Sequence, residues 1–183
     1  MNTGSPTAPA ASATYPMAPL IRFTLISLYL ALVLPLPLLA PKELQPLLWA
    51  ALPLGLGVIL ALVSEQVVLS TEGIRVGHPA WCAWLLRRGW QLSWEQITGL
   101  TPVATSQGGR VFYVRTADGS AYLLPQRVQA FEDFLSRFSQ RTGLDTKSIG
   151  RISPPWTYQL LAVLCGLMLG GEGFWLVGTA LNN

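Results

Sequence analysis

The side chains best suited to bind a partner are arginines in the middle of the chain. We take Arg87, Arg88, Arg110 and Arg127 as candidates for binding an anion or a partner. Guanidinium groups donate paired hydrogen bonds to phosphates and carboxylates. Because cations outnumber acids after residue 65, this stretch suits anionic lipid headgroups or an acidic partner. The alternative is a solvated basic surface with no partner.

A single carboxylate near the end of the chain is the second candidate. Glu172 follows Trp156 by about 16 residues, and a helix rising 1.5 Å per residue would place it roughly 24 Å farther along. A carboxylate inside a membrane span is a functional candidate by default. If the helix ends near Gly173, Glu172 is instead an interfacial charge. A deep position would require a cation or a backbone donor from a neighbouring helix.

Four tryptophans lie close together, at positions 81, 84, 90 and 94. Aromatic clusters of this kind belong either to a core or to an interface. The segment HPAWCAW, residues 78–84, suits insertion among lipid headgroups, so Trp81 and Trp84 are candidates for membrane-interface contact. We expect at least two of the four indoles to belong to the core.

The sequence carries no recognisable catalytic or metal-binding pattern. His78 is the only histidine, and Cys82 and Cys165 have neither metal-ligand spacing nor a position that favours a disulfide. Phosphate loops, HExxH pairs and GxSxG elbows are absent. We therefore expect no enzymatic activity, cofactor, metal ion, small-molecule substrate or nucleic-acid partner.

The composition predicts a membrane protein. Apolar residues make up 51% of the chain and charged residues 11%, against roughly one quarter charged in soluble domains. Residues 23–41, 44–64 and 152–171 contain no Asp, Glu, Lys or Arg, and a span needs about 20 such residues. The predicted order is a disordered leader (1–20), a transmembrane hairpin (21–64), a domain (65–146), a linker (147–155), a third transmembrane helix (156–178) and a tail (179–183).

Local features of the spans predict how the helices pack. Pro35 and Pro37 predict a kink or an early end in the first span. Trp156 and Tyr158 are placed for an aromatic belt at the third span. Gly166 and Gly170 form a GxxxG pair, which predicts close packing on the hairpin or on a partner helix.

The distribution of cations predicts the orientation. The central domain holds most of the Lys and Arg residues, so the positive-inside rule places it in the cytoplasm, with the C-terminus on the opposite side. The membrane would be an inner or plasma membrane, or a thylakoid.

The central domain shows the alternation of apolar and polar residues that is typical of a β-rich fold. Residues 67–77 predict two strands around Glu72 and Gly73, and a second hairpin is centred on Asp118 and Gly119. Residues 127–144 change period, and the apolar stripe Val128, Phe131, Phe134, Leu135 and Phe138 predicts a helix that lies on the sheet and stops at Gly143. We predict six or seven strands closed by one amphipathic helix.

This pattern resembles the bacterial PH-like domains that are attached to membrane hairpins. The matching positions are Glu72, Gly73 and Ile74, then LSWEQITGL, and then Gly109, Arg110, Val111 and Tyr113. More distantly, they resemble the two-span photosystem I assembly factor of cyanobacteria and plastids. The chain departs from that factor by its third span and by Gly109-Arg110 in place of an arginine pair. PH-like domains bind anions through basic residues near their early loops, so the resemblance implies an anion site at Arg87, Arg88 and Arg110.

These features predict a non-enzymatic integral membrane protein. Its three membrane helices carry a cytoplasmic PH-like domain that docks other membrane proteins, with a role in the assembly or stability of a membrane complex, including a photosynthetic one. One alternative is a module that binds anionic lipid or senses the membrane. A third is an accessory subunit of a transporter, with Glu172 in a polar path.

Overall fold

The computed structural model describes residues 12–86, 89–106, 108–150 and 155–181. The chain divides into two units. We call Met1–Met17 with Glu65–Ile152 the β unit, and Ala18–Ser64 with Ser153–Asn183 the helical unit.

Within the described residues of the β unit, seven strands form two antiparallel sheets. The first sheet has the order β1-β2-β3-β4 and the second has the order β5-β6-β7. The strands are β1 (Ala13–Pro16), β2 (Gln66–Leu69), β3 (Gly73–Gly77), β4 (Trp90–Ser93), β5 (Ile97–Ala104), β6 (Arg110–Thr116) and β7 (Ala121–Leu123). Each strand pairs with the next along the chain within its sheet, as the two predicted hairpins require.

The first strand corrects the predicted disordered leader. Tyr15 is buried while Thr14 and Pro16 are exposed, so this short segment alternates like a strand with one face in the core. It pairs with β2, and Tyr15 lies opposite Val67. The prediction of disorder over 1–20 is therefore wrong for residues 12–20, because burial of one face orders them. Residues 1–11 lie outside the described part of the chain.

The chain leaves the first sheet and returns to it at neighbouring positions. The Met17 N–H donates a hydrogen bond to the Glu65 carbonyl at 3.2 Å. Between these residues the chain forms the helices of the predicted hairpin. The domain predicted at 65–146 thus also contains a strand that precedes the first candidate span.

Local chemistry explains the turns of the β unit. The Ser70 hydroxyl accepts the Gly73 N–H at 3.1 Å, which closes the turn between β2 and β3. Gly119 has a φ of 83°, the left-handed conformation that the tight turn between β6 and β7 requires. Both turns lie where the sequence predicts them, but of the two glycines expected to supply a positive φ only Gly119 does so, because Gly73 is the first residue of β3.

Helix α4 (Phe131–Thr142) packs its apolar stripe on the core. Phe131, Phe134, Leu135 and Phe138 are buried, as the spacing predicts. Gly143 ends the helix with a φ of 72°. The core extends past the predicted boundary at 146, because Ile149 is buried within it. The segment predicted as a linker, 147–155, therefore begins as part of the β unit.

The helical unit contains α1 (Pro19–Val33), α2 (Pro35–Leu39), α3 (Gln45–Leu62) and α5 (Pro155–Leu181). The helix is interrupted at Leu34, between α1 and α2. This interruption confirms the kink or early end predicted from Pro35 and Pro37. In the part of the chain that the structure describes, three segments are long and apolar enough to cross a membrane: Pro19–Leu39, Gln45–Leu62 and Trp156–Trp175.

Specific contacts join the helices of this unit. The Tyr29 hydroxyl donates to the Leu52 carbonyl at 2.7 Å, and a Cβ on Gly55 would meet that hydroxyl at 2.4 Å. Gly55 thus allows the Tyr29 side chain of α1 to approach α3 closely. The third helix was predicted at 156–178 with a tail at 179–183, but α5 continues to Leu181.

Candidate functional site at one end of the β unit

One row of paired residues marks the end of the first sheet from which the chain enters the helices. Pro16 pairs with Gln66, and Gln66 pairs with Gly77. Helix α1 begins at Pro19, and helix α3 ends at Leu62. We call this row the chain-entry end of the β unit.

The segment that follows Gly77 forms a compact turn, residues 79–86, which we call the Trp loop. The Pro79 carbonyl accepts the N–H groups of Cys82 and Ala83 at 3.1 and 3.0 Å. The Cys82 carbonyl in turn accepts the Leu85 N–H at 3.0 Å. Because Cys82 is buried with 1% of its surface exposed, it anchors the loop to the β unit.

The Trp loop presents large apolar side chains to the surroundings. Trp81 is 58% exposed, Trp84 is 81% exposed and Leu85 is 50% exposed. The Trp84 indole N–H donates to the Trp81 carbonyl at 3.0 Å. The loop therefore exposes ring surface, and the indole N–H of Trp84 is satisfied within the loop.

The other two tryptophans of the cluster pack against the core. Trp90 contacts Tyr122 with ring centroids 5.3 Å apart, and Trp94 lies edge-on to Phe138 at 6.0 Å. The prediction that at least two of the four indoles belong to the core is confirmed.

The structure separates the predicted basic candidates. Arg87 and Arg88 lie outside the described residues. Arg110 is exposed at the start of β6, and the exposed Arg127 lines a cavity together with Met17 and Glu65. Met17 and Glu65 adjoin the chain-entry end, so Arg127 is the candidate that the structure brings there.

That cavity has a volume of about 360 Å³ and a mixed lining of apolar and polar side chains. Gln126 is the buried polar residue in its wall, with 4% of its surface exposed. Its Nε2 group donates to the Gly150 carbonyl at 2.7 Å, whereas its Oε1 atom accepts no hydrogen bond from the described residues. The sequence pattern did not single out Gln126.

The second sheet has one face in the core and one face turned outward. Phe112 and Val114 are buried, and the residues between them on β6 therefore point to the opposite side. Along that side Tyr113 pairs with Leu123 and with Thr101, and Val111 pairs with Val103. We call Val103, Val111, Tyr113 and Leu123 the outer face.

The outer face combines apolar surface with a basic edge. Val103 is 43% exposed and Leu123 is 47% exposed. Arg115 is exposed, and its Nε group donates to the Thr101 hydroxyl at 3.1 Å. Val111 and Leu123 also line the cavity that contains Arg127. The outer face is therefore continuous with the chain-entry end.

A smaller cavity of about 270 Å³ lies beside the start of the Trp loop. Its lining includes Arg75, His78 and Gln91. The Nδ1 atom of His78 is buried without a hydrogen-bond partner among the described residues. The lone histidine predicted to lie in a loop is thus part of a polar recess.

A polar triad, absent from the predicted sites, joins β1 to α4. The Tyr15 hydroxyl donates to Asp133 Oδ2 at 2.5 Å, and Arg137 Nε donates to the same oxygen at 2.9 Å. The spacing of Asp133 and Arg137, one helical turn apart, is typical of such a pair, whereas Tyr15 was assigned to a leader. The alternation of Ala13, Tyr15 and Met17 is the pattern that would have identified the strand.

The triad changes the proton affinities of its members. Burial, followed by the hydrogen bond to Asp133, raises the pKa of Tyr15 from 10.0 to about 12. The Tyr15 hydroxyl is the main cause that lowers the pKa of the Asp133 carboxyl. The hydrogen bond to Asp133 raises the pKa of Arg137.

In the helical unit, the residues of α5 predicted to meet the membrane interface or another helix lie in different surroundings. Trp156 is 59% exposed in the first turn, and the Tyr158 carbonyl accepts the Thr24 hydroxyl at 3.3 Å. A Cβ built on Gly166 or Gly170 would meet nothing within 4 Å. Within the described residues the GxxxG pair therefore makes no close helix contact, and its packing on a partner helix stays a prediction.

Glu172 lies within a continuous helix, because α5 does not end near Gly173. Its Oε2 atom is buried and has no hydrogen-bond partner in the described part of the chain. The residue lines a cavity of about 290 Å³ with Leu34, Pro35 and Trp175. The cation or backbone donor expected for a deep carboxylate is not among its described neighbours.

The described residues contain no group of three or more His, Cys, Asp or Glu side chains that could hold a metal ion. The described surface offers exposed apolar area at the Trp loop and the outer face, and guanidinium donors at exposed arginines such as Arg110 and Arg127.

Fold and site together define a class: a chain with three helices long and apolar enough to cross a membrane, and a two-sheet antiparallel β unit closed by a helix. The chain belongs to the same family as the uncharacterised protein slr0269 of the cyanobacterium Synechocystis sp. (strain ATCC 27184 / PCC 6803 / Kazusa). The two are 43% identical over 164 residues, which cover 86% of this chain and 82% of its relative. No protein-family profile matches the chain, and no solved structure matches it, so the PH-like resemblance stays a prediction.

Proposed function

We propose that this chain is a non-enzymatic integral membrane protein whose β unit docks other membrane proteins. In this role it aids the assembly or stability of a membrane complex, a photosynthetic one among the possibilities that its cyanobacterial relative supports. The order of four and then three strands followed by one helix supports a PH-like fold. The positive-inside rule supports a cytoplasmic position for the β unit.

The outer face of the second sheet is the observation that carries this proposal. Strands of a fully enclosed sheet would bury both faces, whereas Val103 and Leu123 are about half exposed. Contiguous apolar surface bordered by polar groups is typical of protein interaction sites. The basic edge at Arg115 and Arg127 favours a partner segment that carries acidic groups beside apolar ones.

Co-migration on a native gel tests the proposal. In gently solubilised membranes the chain should migrate with a larger complex. The double variant Val103→Asp with Leu123→Asp should release it as a free small protein, because buried carboxylates without partners oppose docking. The control Ser136→Asp places one carboxylate on the exposed side of α4 and should leave the complex intact.

Two results would contradict the proposal. One is migration of the wild-type chain only as a free small protein. The other is equal release by the outer-face variant and by Ser136→Asp. Membrane-associated yield of each variant must match that of the wild type, so that loss of the complex reports docking.

A second candidate function is binding to anionic lipid. Its supporting observation is that Arg137 with Asp133 is the one ion pair among the described residues, which leaves exposed arginines such as Arg110 and Arg127 for headgroups. In nanodiscs, anionic lipid should then slow hydrogen exchange at residues 108–111. The effect should disappear at high salt and in Arg110→Gln with Arg127→Gln. Equal exchange rates in zwitterionic and anionic nanodiscs would exclude this candidate.

A further inference from the structure

We propose that the Trp loop, residues 79–86, is a bilayer anchor. It inserts Trp81, Trp84 and Leu85 into the interfacial layer of the membrane that the helices cross. This contact is separate from the docking function, because it uses a different surface and a lipid partner.

The strand register places the loop at the chain-entry end. The loop starts two residues after Gly77. Gly77 pairs with Gln66, and Gln66 pairs with Pro16. Only Met17 and Ala18 separate Pro16 from helix α1, and Val63, Ser64 and Glu65 separate helix α3 from Gln66. Because each residue spans at most about 3.6 Å, connections of two and three residues limit how far this row can lie from the bilayer that the proposal places around α1 and α3.

The return of the chain to the sheet fixes the loop at the same row. Gly89 packs against β3 so closely that a Cβ there would lie 1.9 Å from the Val76 carbonyl oxygen and 2.7 Å from Gly77 Cα. Both ends of the loop are therefore held at the chain-entry end.

The loop is formed before any membrane contact. Its backbone hydrogen bonds to the Pro79 and Cys82 carbonyls define one helical turn, and Cys82 is buried beneath it. A loop already ordered in this way loses little conformational entropy on insertion. The internal hydrogen bond of the Trp84 indole also removes a donor that would be costly in an apolar layer.

The exposed chemistry fits lipid. Tryptophan is enriched at membrane interfaces, where its ring meets the boundary between headgroups and acyl chains. Arg87 and Arg88 follow the loop in the sequence, and arginines next to an inserted segment bind anionic headgroups. Because β1 and β2 are joined to membrane helices, the bilayer is present near the loop at high effective concentration. A protein partner, in contrast, must be recruited.

Depth-dependent quenching on the full chain in lipid nanodiscs tests the anchor. Leu85→Cys carries an environment-sensitive fluorophore, and Ala117→Cys carries it as a control. Ala117 is exposed in the turn between β6 and β7. Its N–H donates a hydrogen bond to the Gln96 carbonyl. This contact places Ala117 at the end of the β unit opposite the chain-entry end. Native Cys82 and Cys165 are buried, and peptide mass spectrometry confirms where the label attaches.

The expected result is a blue-shifted emission at position 85 that nitroxide lipids quench several-fold more strongly than aqueous iodide does. Position 117 should show the opposite preference. In the Leu85→Cys background, Trp81→Ala with Trp84→Ala should reduce quenching by nitroxide lipids several-fold, and Trp81→Phe with Trp84→Phe should largely retain it. Hydrogen exchange of α4 peptides reports that each variant remains folded.

Two outcomes would overturn the proposal. In the first, iodide quenches positions 85 and 117 equally and nitroxide lipids quench neither. In the second, position 85 is protected in native membranes but not in nanodiscs made of lipid alone. That second result would show that the loop contacts a protein.

Discussion

The Tyr15 hydroxyl donates a hydrogen bond to Asp133 Oδ2 at 2.5 Å across 118 positions of sequence. The Tyr15 ring also lies edge-on to Phe134, with centroids 5.6 Å apart. One residue of β1 therefore binds the strand before the first candidate span to the helix that closes the β unit. Because a four-residue strand has few contacts of its own, this side chain determines how firmly β1 is held.

Removing that hydroxyl should loosen β1 specifically. Tyr15→Phe keeps the buried ring and deletes the hydrogen bond, which we expect to cost about 1 kcal/mol. Hydrogen exchange of peptides covering residues 13–17 should then accelerate roughly fivefold. Tyr113→Phe is the matched control, because Tyr113 lies on the outer face away from this contact. Equal exchange in the two variants would contradict the role assigned to Tyr15.

The raised pKa of Tyr15 predicts a loss of stability at high pH. An acid whose pKa is higher in the folded state stabilises the fold fully below its unfolded pKa, 10.0, and loses this contribution as the pH rises through about 12. Thermal unfolding of wild type and Tyr15→Phe in nanodiscs should therefore differ at pH 9. The difference should shrink between pH 10 and 12, and a difference that stays constant across this range would refute the linkage.

Much of this architecture is legible in the sequence because it depends on local patterns. Runs without charge identified the three candidate spans, Gly119 identified a tight turn, and the spacing of Phe131, Phe134 and Phe138 identified α4. In each case the residues that form the pattern are close together in sequence, within a few helical turns or a few strand residues of one another. Short-range periodicity and turn chemistry were therefore sufficient.

The missed features depend on residues that are far apart in sequence. β1 is short, and its partner β2 follows the whole helical hairpin, so no local pattern links Tyr15 to Val67. Alternation in β6 showed that one face is buried but not which one. Burial of Phe112 and Val114 decides this, and it turns Val111 and Tyr113 into the outer face. Gln126 is likewise a single polar residue, and it is buried with a hydrogen bond to the carbonyl of Gly150, 24 positions away.

Close strand packing predicts a sharp difference between two glycines. A Cβ on Gly73 would lie 2.0 Å from the Leu92 carbonyl oxygen, whereas a Cβ on Gly99 would meet nothing within 4 Å. Gly73→Ala should therefore separate β3 from β4 and cost about 1–3 kcal/mol or more, and Gly99→Ala should be nearly neutral. Urea midpoints measured by alkylation of buried Cys82 would compare them. A similar midpoint for both variants would show that β4 can shift without cost.

Glu172 should oppose the stability of the helical unit. Its buried Oε2 atom has no described hydrogen-bond partner, and an unsatisfied buried polar group costs about 1–3 kcal/mol. Glu172→Leu should therefore raise the unfolding temperature of the full chain in nanodiscs. Val177→Leu, at an exposed site on the same helix, is the control and should change it little. If Glu172→Leu instead lowers the unfolding temperature, the carboxylate has a stabilising partner in the membrane, and Glu172→Gln would separate a hydrogen bond, which it can retain, from an ion pair, which it cannot.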